Sequence, residues 1–261
     1  MLGGDVQRTA DVAYGAGPRQ RLDVYRIRGN AAPSPVIVFL YGGRWKYGKK
    51  RDYLLLATEL TRRGWVVVVP DYRLHPTVDF PAWVEDGADA VRWSLANTAR
   101  LGGDTTRLFV VGHSAGAHTA AILALDPRYL RAAGVPPGAV RGFASLAGPV
   151  DTTWTAPDVQ RLMGPEAGWP ATYPATLIDG DEPPLLLLHG EGDEVVTAGN
   201  STRLAAAIRE AGGCARAITY PAVGHIRIAV ALGLPGLSRA PVLDDLARFV
   251  EDPRGGCERG R

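Results

Sequence analysis

Cysteine is scarce: Cys214 and Cys257 are the two in 261 residues. Two thiols make no disulfide framework, and their spacing fits no metal-ligand pattern. They are read as separate thiols, with a bridge pinning the tail as the alternative. Long apolar runs are missing too. None reaches the eighteen residues that a membrane span requires, and Met1-Leu2-Gly3-Gly4-Asp5 lacks the charged and apolar regions of a signal peptide. A cytoplasmic location and no membrane partner are the expectation. The formal charge of +2 comes without a block of lysine or arginine interleaved with aromatics, which argues against nucleic acid as a partner. The basic cluster Lys46 to Arg51 is read as solvated surface. Five histidines show no metal spacing, and no phosphate or dinucleotide loop is visible, so no metal and no cofactor are expected.

What the chain has is glycine, 32 residues of it, with 46% apolar content at a length that suits one α/β domain with a single core. The boundaries are set at residues 1–251, with a polar, glycine-rich tail at 252–261 expected to be disordered. Continuous apolar runs such as Pro35 to Tyr41, Gly64 to Pro70 and Pro184 to Gly190 read as parallel strands buried on both faces. Helical stretches at Asp52 to Arg62 and Pro81 to Leu101 alternate with them, and Trp83 and Trp93 are read as packing residues. Arg21 to Ile27 alternates in polarity, as an antiparallel edge strand does. Together these give a mostly parallel sheet with helices on both faces.

Gly112-His113-Ser114-Ala115-Gly116 stands directly behind the apolar run Arg107 to Val111. With this much glycine, on the order of 0.1 chance matches to Gly-x-Ser-x-Gly are expected, so context decides. The context is a strand followed by the small-residue helix Ala115 to Leu125, which places the serine on a sharp turn above the sheet. A hydroxyl needs a base, an acid to orient the base, and donors for the oxyanion. Glu191-Gly192-Asp193-Glu194 follows the strand 184–190 at once, making Asp193 the candidate acid; Asp151 is the alternative. Pro221 to His225 is the turn leaving the strand Cys214 to Tyr220, making His225 the candidate base, since no other histidine follows the acid. Gly42-Gly43-Arg44 after an early strand supplies candidate oxyanion donors at Gly43 and Arg44, beside Ala115.

Tyr41-Gly42-Gly43-Arg44-Trp45, Pro70-Asp71-Tyr72-Arg73-Leu74, Gly112 to His118, His189-Gly190-Glu191-Gly192-Asp193 and Gly224-His225, in this order from about Leu22 to Val250, resemble the α/β-hydrolase superfamily. They are most similar to small carboxylesterases of the hormone-sensitive-lipase and arylformamidase-like group. The resemblance implies an α/β-hydrolase fold and Ser114, Asp193 and His225 as a triad. Tyr41 stands where many relatives carry histidine, so any bracing of the oxyanion loop would run through its hydroxyl. Asp71 to Leu74 resembles the loop that supports this turn. The long connection 149–182 is expected to form a short cap, and Tyr41, Trp45, His113, Trp154, Met163 and Trp169 are the candidate pocket residues. The expected function is a serine carboxylesterase for a small-molecule, short-chain acyl ester. Arylformamidase chemistry, a carbohydrate acetyl or feruloyl esterase, and a non-catalytic binding protein on the same scaffold are the alternatives.

Overall fold

The computed structural model describes residues 4–30 and 32–257. Eight strands form one sheet: β1 (Val6–Ala13), β2 (Arg21–Ile27), β3 (Ser34–Leu40), β4 (Val66–Pro70), β5 (Gly103–His113), β6 (Val140–Leu146), β7 (Leu185–Gly190) and β8 (Ala215–Tyr220), in the order β1-β2-β4-β3-β5-β6-β7-β8. Only β2 runs against the rest. Every residue of β3, β4 and β7 is buried, as their unbroken apolar runs require. The strand at 21–27 is antiparallel as expected but does not form the edge, because β1 pairs outside it. β1 is mostly solvent-facing and carries little apolar patterning, so nothing in its residues announces a strand.

The helices are α1 (Leu54–Arg62), α2 (Ala82–Asn97), α3 (Ala115–Leu125), α4 (Pro127–Ala132), α5 (Pro157–Leu162), α6 (Gly199–Glu210), α7 (His225–Gly233) and α8 (Val242–Glu251). They cover both faces. Phe109 of β5 meets Phe249 of α8 with ring centroids 5.9 Å apart, whereas Gly112, three residues on and thus on the opposite face, lies against α3. All eleven residues of α3 are buried, which its alanines and glycine permit by letting the helix lie close on the sheet. Trp83 and Trp93 of α2 are buried, as expected of packing residues. The arrangement is the α/β-hydrolase fold.

Two expectations are corrected. Cys214 and Cys257 are paired, with Cα atoms 5.6 Å apart. The bridge ties the residues after α8 to the start of β8, and Cys257 N–H also donates to the Arg254 carbonyl, so 252–257 forms an ordered turn; 258–261 lie outside the described residues. Lys50 is buried rather than solvated, its ammonium facing Asp11, Asp23 and Asp71. A loop of 43 residues closed by the disulfide constrains the unfolded chain by about 2–4 kcal/mol. Cys257→Ser is therefore expected to lower Tm by about 5–10 °C. Melts with and without reductant check this, since reduction should bring the native protein to the variant's Tm.

Candidate active site

Ser114 joins β5 to α3 with φ 53° and ψ −118°, a strained conformation for a residue with a β-carbon. Its N–H donates to the Leu146 carbonyl at the end of β6 (2.9 Å), and its own carbonyl accepts from His118 N–H (3.1 Å) to begin the helix. The flanking glycines are steric necessities. A β-carbon on Gly112 would sit 2.2 Å from the Gly116 carbonyl oxygen, and one on Gly116 would sit 2.1 Å from that of Leu40.

At the same end of the sheet, the turn after β7 carries Asp193 and the turn after β8 carries His225. His225 Nε2 is 2.8 Å from Ser114 Oγ, and His225 Nδ1 is 2.8 Å from Asp193 Oδ2. The carboxylate is buried, and its other oxygen accepts from Val195 N–H (2.9 Å) and Val196 N–H (2.8 Å). An ionised acceptor facing Nδ1 fixes the proton there and leaves Nε2 free to accept from the serine. Asp151, the alternative acid, is held by Arg203 instead. Glu191 and Glu194 are exposed.

The other histidines have distinct positions. His113 Nε2 is 3.0 Å from the His225 carbonyl oxygen; a carbonyl only accepts, so this nitrogen carries the proton, and Nδ1 is buried without a partner. Burial lowers its pKa to about 4, so it stays neutral near pH 7. His118 likewise donates from Nε2 to the Thr172 carbonyl (2.8 Å) and is pushed by burial to about 4. His189, lowered by burial, donates to the Val196 carbonyl (2.8 Å), and the same nitrogen lies 3.3 Å from Asp193 Oδ2. His75 pairs with Asp79 away from the serine.

The loop after β3 passes close over Ser114: a β-carbon on Gly42 would lie 2.9 Å from the serine Cβ. Gly43, Arg44 and Trp45 all have positive φ (136°, 53° and 56°), and the Gly43 carbonyl accepts from both Lys46 and Tyr47. Among the described residues, the N–H groups of Gly43, Arg44 and Ala115 have no protein acceptor. The bracing beneath is built from buried side chains. Tyr41 hydroxyl donates to Asp71 Oδ1 (2.9 Å) and accepts from Arg19 (2.8 Å), while Tyr72 hydroxyl donates to the Tyr41 carbonyl (2.7 Å). Tyr53 hydroxyl accepts from Gly42 N–H (3.2 Å). Tyr53 and the Asp193-supporting amides were not singled out from the sequence, because their contacts join segments that no spacing relates.

A cleft of about 270 Å³ opens beside Ser114, lined among others by Arg44, Trp45, Thr152, Thr153, Trp154 and Asn200. Trp45 and Trp154 are both in this lining, as are Pro149, Thr152 to Ala156 and Val159 from the 149–182 connection. Arg44 holds this segment through two hydrogen bonds to Asp158 (2.9 and 2.8 Å). Three candidates fall elsewhere. Tyr41 is fully buried behind the loop, Met163 is packed into the core, and Trp169 turns its Nε1–H to the Gly164 carbonyl. His113 borders a second groove, together with Gly43 and residues of α7.

The comparisons with known proteins agree with this fold. The family model described as BD-FAE matches residues 22–132, and the Prolyl oligopeptidase family model matches residues 82–252. Esterase LipQ of Mycobacterium tuberculosis (strain ATCC 25618 / H37Rv) is 30% identical across 97% of this chain and 65% of its own length. The chain spans less than two thirds of the length of the curated relatives it matches. Among solved structures, Esterase B from Lactobacillus Rhamnosis (HN001) superposes with TM-score 0.82 at 20% identity, over 98% of this chain and 88% of that one. A truncated carbohydrate esterase from gut microbiota gives 0.80 at 21% identity, over 95% and 96%. The span 82–252 contains Ser114, Asp193 and His225 and exceeds half of the chain. The chain belongs to the prolyl oligopeptidase family and has the α/β-hydrolase fold.

Proposed function

We propose that this chain is a serine carboxylesterase acting on a small ester through an acyl-serine intermediate. The observation that carries the reading is the unbroken series Ser114 Oγ, His225 Nε2, His225 Nδ1 and Asp193 Oδ2, linked at 2.8 Å each, beside three N–H groups without a partner. His225 takes the serine proton as Ser114 attacks the ester carbonyl, and Asp193 stabilises the imidazolium. Gly43, Arg44 and Ala115 N–H groups receive the oxyanion, where each well-placed donor contributes about 3 kcal/mol. The imidazolium protonates the leaving alcohol; the same histidine then activates water to release the acid. His113, neutral and bonded to the His225 backbone, holds the base in place without competing for the proton.

The names of the relatives support ester over amide substrates: LipQ is an esterase, and Arabidopsis thaliana isoprenylcysteine alpha-carbonyl methylesterase ICME is 25% identical over 92% of this chain. The Cys214–Cys257 bridge favours work in an oxidising compartment over the cytoplasmic location expected from the sequence. A fluorophosphonate is expected to label the native chain at Ser114 and not a Ser114→Ala variant. Native protein that hydrolyses no ester and takes no label would make it a binding protein on this scaffold.

A further inference from the structure

Two recesses of different chemistry border the serine turn: Ser114 lines one, and its neighbour His113 lines the other with Gly43. The first is the cleft already described, where Thr152, Thr153, Asn200 and Arg44 share the lining with two tryptophans. The second is a groove of about 420 Å³ between α7 and the residues from Gly43 to Leu56. Gly43 and His113 line it, together with Tyr47, Leu55, Ile226, Val230 and Leu234. Asp52 and His113 are the only side chains in that lining with an ionisable group besides tyrosine, and burial keeps His113 neutral near pH 7.

The exposure of these walls is what requires explanation. Single exposed apolar side chains are ordinary, but a contiguous patch marks a binding surface. Seven large apolar side chains are exposed among the described residues, and five of them line this one groove. Tyr47 (65%), Leu55 (56%) and Ile226 (64%) are open to solvent although the sheet offers a large core. Helix α7 shows the pattern most clearly. Ile228, Ala231 and Leu232 are buried, and Gly233 packs on Leu56. Ile226 and Val230, four residues apart, form a second apolar stripe left open to solvent among the described residues.

We propose that this groove binds a linear hydrocarbon chain of the ester substrate, with the ester carbonyl at Ser114 and the smaller half of the ester in the cleft beside Trp45 and Trp154. The proposal rests on the hydrolase function above and replaces the expectation of a short-chain substrate. Continuity with the site selects this occupant. Its lining includes Gly43, next to the Gly42 that passes close over Ser114, and His113, the neighbour of Ser114. A chain leaving the carbonyl in that direction meets mostly apolar walls, with Asp52 and His113 as the ionisable groups besides tyrosine. Helix α7 runs nine residues, about 14 Å, which matches an extended chain of roughly ten carbons. Each methylene that becomes fully buried multiplies affinity by up to about fourfold, so partial burial over several carbons still gives a steep chain-length dependence.

The test compares kcat/KM along two ester series kept below their solubility limits. One varies the acyl chain of nitrophenyl esters and the other varies the alcohol chain of acetates. One series, the half that occupies the groove, is expected to rise by at least about tenfold from roughly two to ten carbons. In Val230→Glu, and independently in Leu55→Glu on the opposite wall, the ratio of long-chain to short-chain kcat/KM should fall by at least about tenfold. This ratio does not depend on the fraction of folded enzyme. Chain-length dependence that is flat in both series, or unchanged in both variants, overturns the proposal while Ser114 labelling leaves the hydrolase reading standing. A rise seen only once the ester forms droplets would mean that the patch meets a lipid surface. A monomer obtained only on introducing either glutamate would mean that a second copy of the chain covers it. Either result overturns the proposal.

Discussion

Asp193→Asn is expected to lower kcat for ester hydrolysis by about ten-thousandfold, equivalent to about 5 kcal/mol of barrier, while leaving the fold intact. The reason lies in how the carboxylate is held. Its Oδ1 accepts from the Val195 and Val196 N–H groups, and its Oδ2 faces His225 Nδ1. In asparagine the amide oxygen is the only acceptor, so the two backbone donors pin it in the Oδ1 position and the NH2 group points at the imidazole. Nδ1 must then accept, the ring proton moves to Nε2, and the nitrogen facing Ser114 can no longer take its proton. The residual rate comes from the oxyanion donors and binding. Asp151→Asn is the matched comparison, because Asp151 is bound to Arg203 and reaches neither histidine nor serine. Its kcat should stay within about twofold of the native value. Steady-state kinetics on one nitrophenyl ester decide the matter: an Asp193→Asn loss below tenfold would remove the residue from this role.

The parallel half of the sheet was legible because its strands are buried on both faces, which forces uninterrupted apolar runs such as Val36 to Leu40 and Leu185 to Leu188. The serine turn was legible because a strand, two obligatory glycines and a small-residue helix leave a fixed signature, and the acid and base follow from where the later strands end. What escaped depends on contacts between distant segments. Lys50 reads as part of a basic surface run until Asp11, Asp23 and Asp71 are brought around it from the elements β1, β2 and the end of β4. The pairing of Cys214 with Cys257 is invisible in a spacing of 43 and follows only once β8 and the end of α8 are side by side. Helix α7 carried no separate signal, because both of its sides are apolar and one of them faces solvent. Pocket residues were the least legible. Tyr41 and Trp45 are four residues apart in one loop, yet the first is sealed behind it and the second lines the cleft.

The largest effect on stability is expected from a single methyl group at Gly116. A β-carbon there would lie 2.1 Å from the Leu40 carbonyl oxygen and 2.6 Å from that of Tyr41. Both are backbone atoms of a fully buried strand and its exit, so no side chain can rotate to make room. Relief requires α3 to lift from β3. A second contact, in which a β-carbon on Gly112 of β5 would meet the Gly116 carbonyl at 2.2 Å, shows that the start of α3 is pressed against β5 as well. Gly116→Ala should therefore cost about 3 kcal/mol or more, at the upper end of overpacking effects, and lower Tm by about 8 °C or more. Activity of the surviving folded fraction falls as well, because the atoms displaced are those that carry Gly42 and Gly43 over Ser114. Gly168→Ala serves as the control: a β-carbon there meets nothing within 4 Å, and its Tm should stay within about 2 °C of native. Equal melting temperatures for the two variants would mean that α3 and β3 tolerate a separation that the serine turn, as built here, does not have.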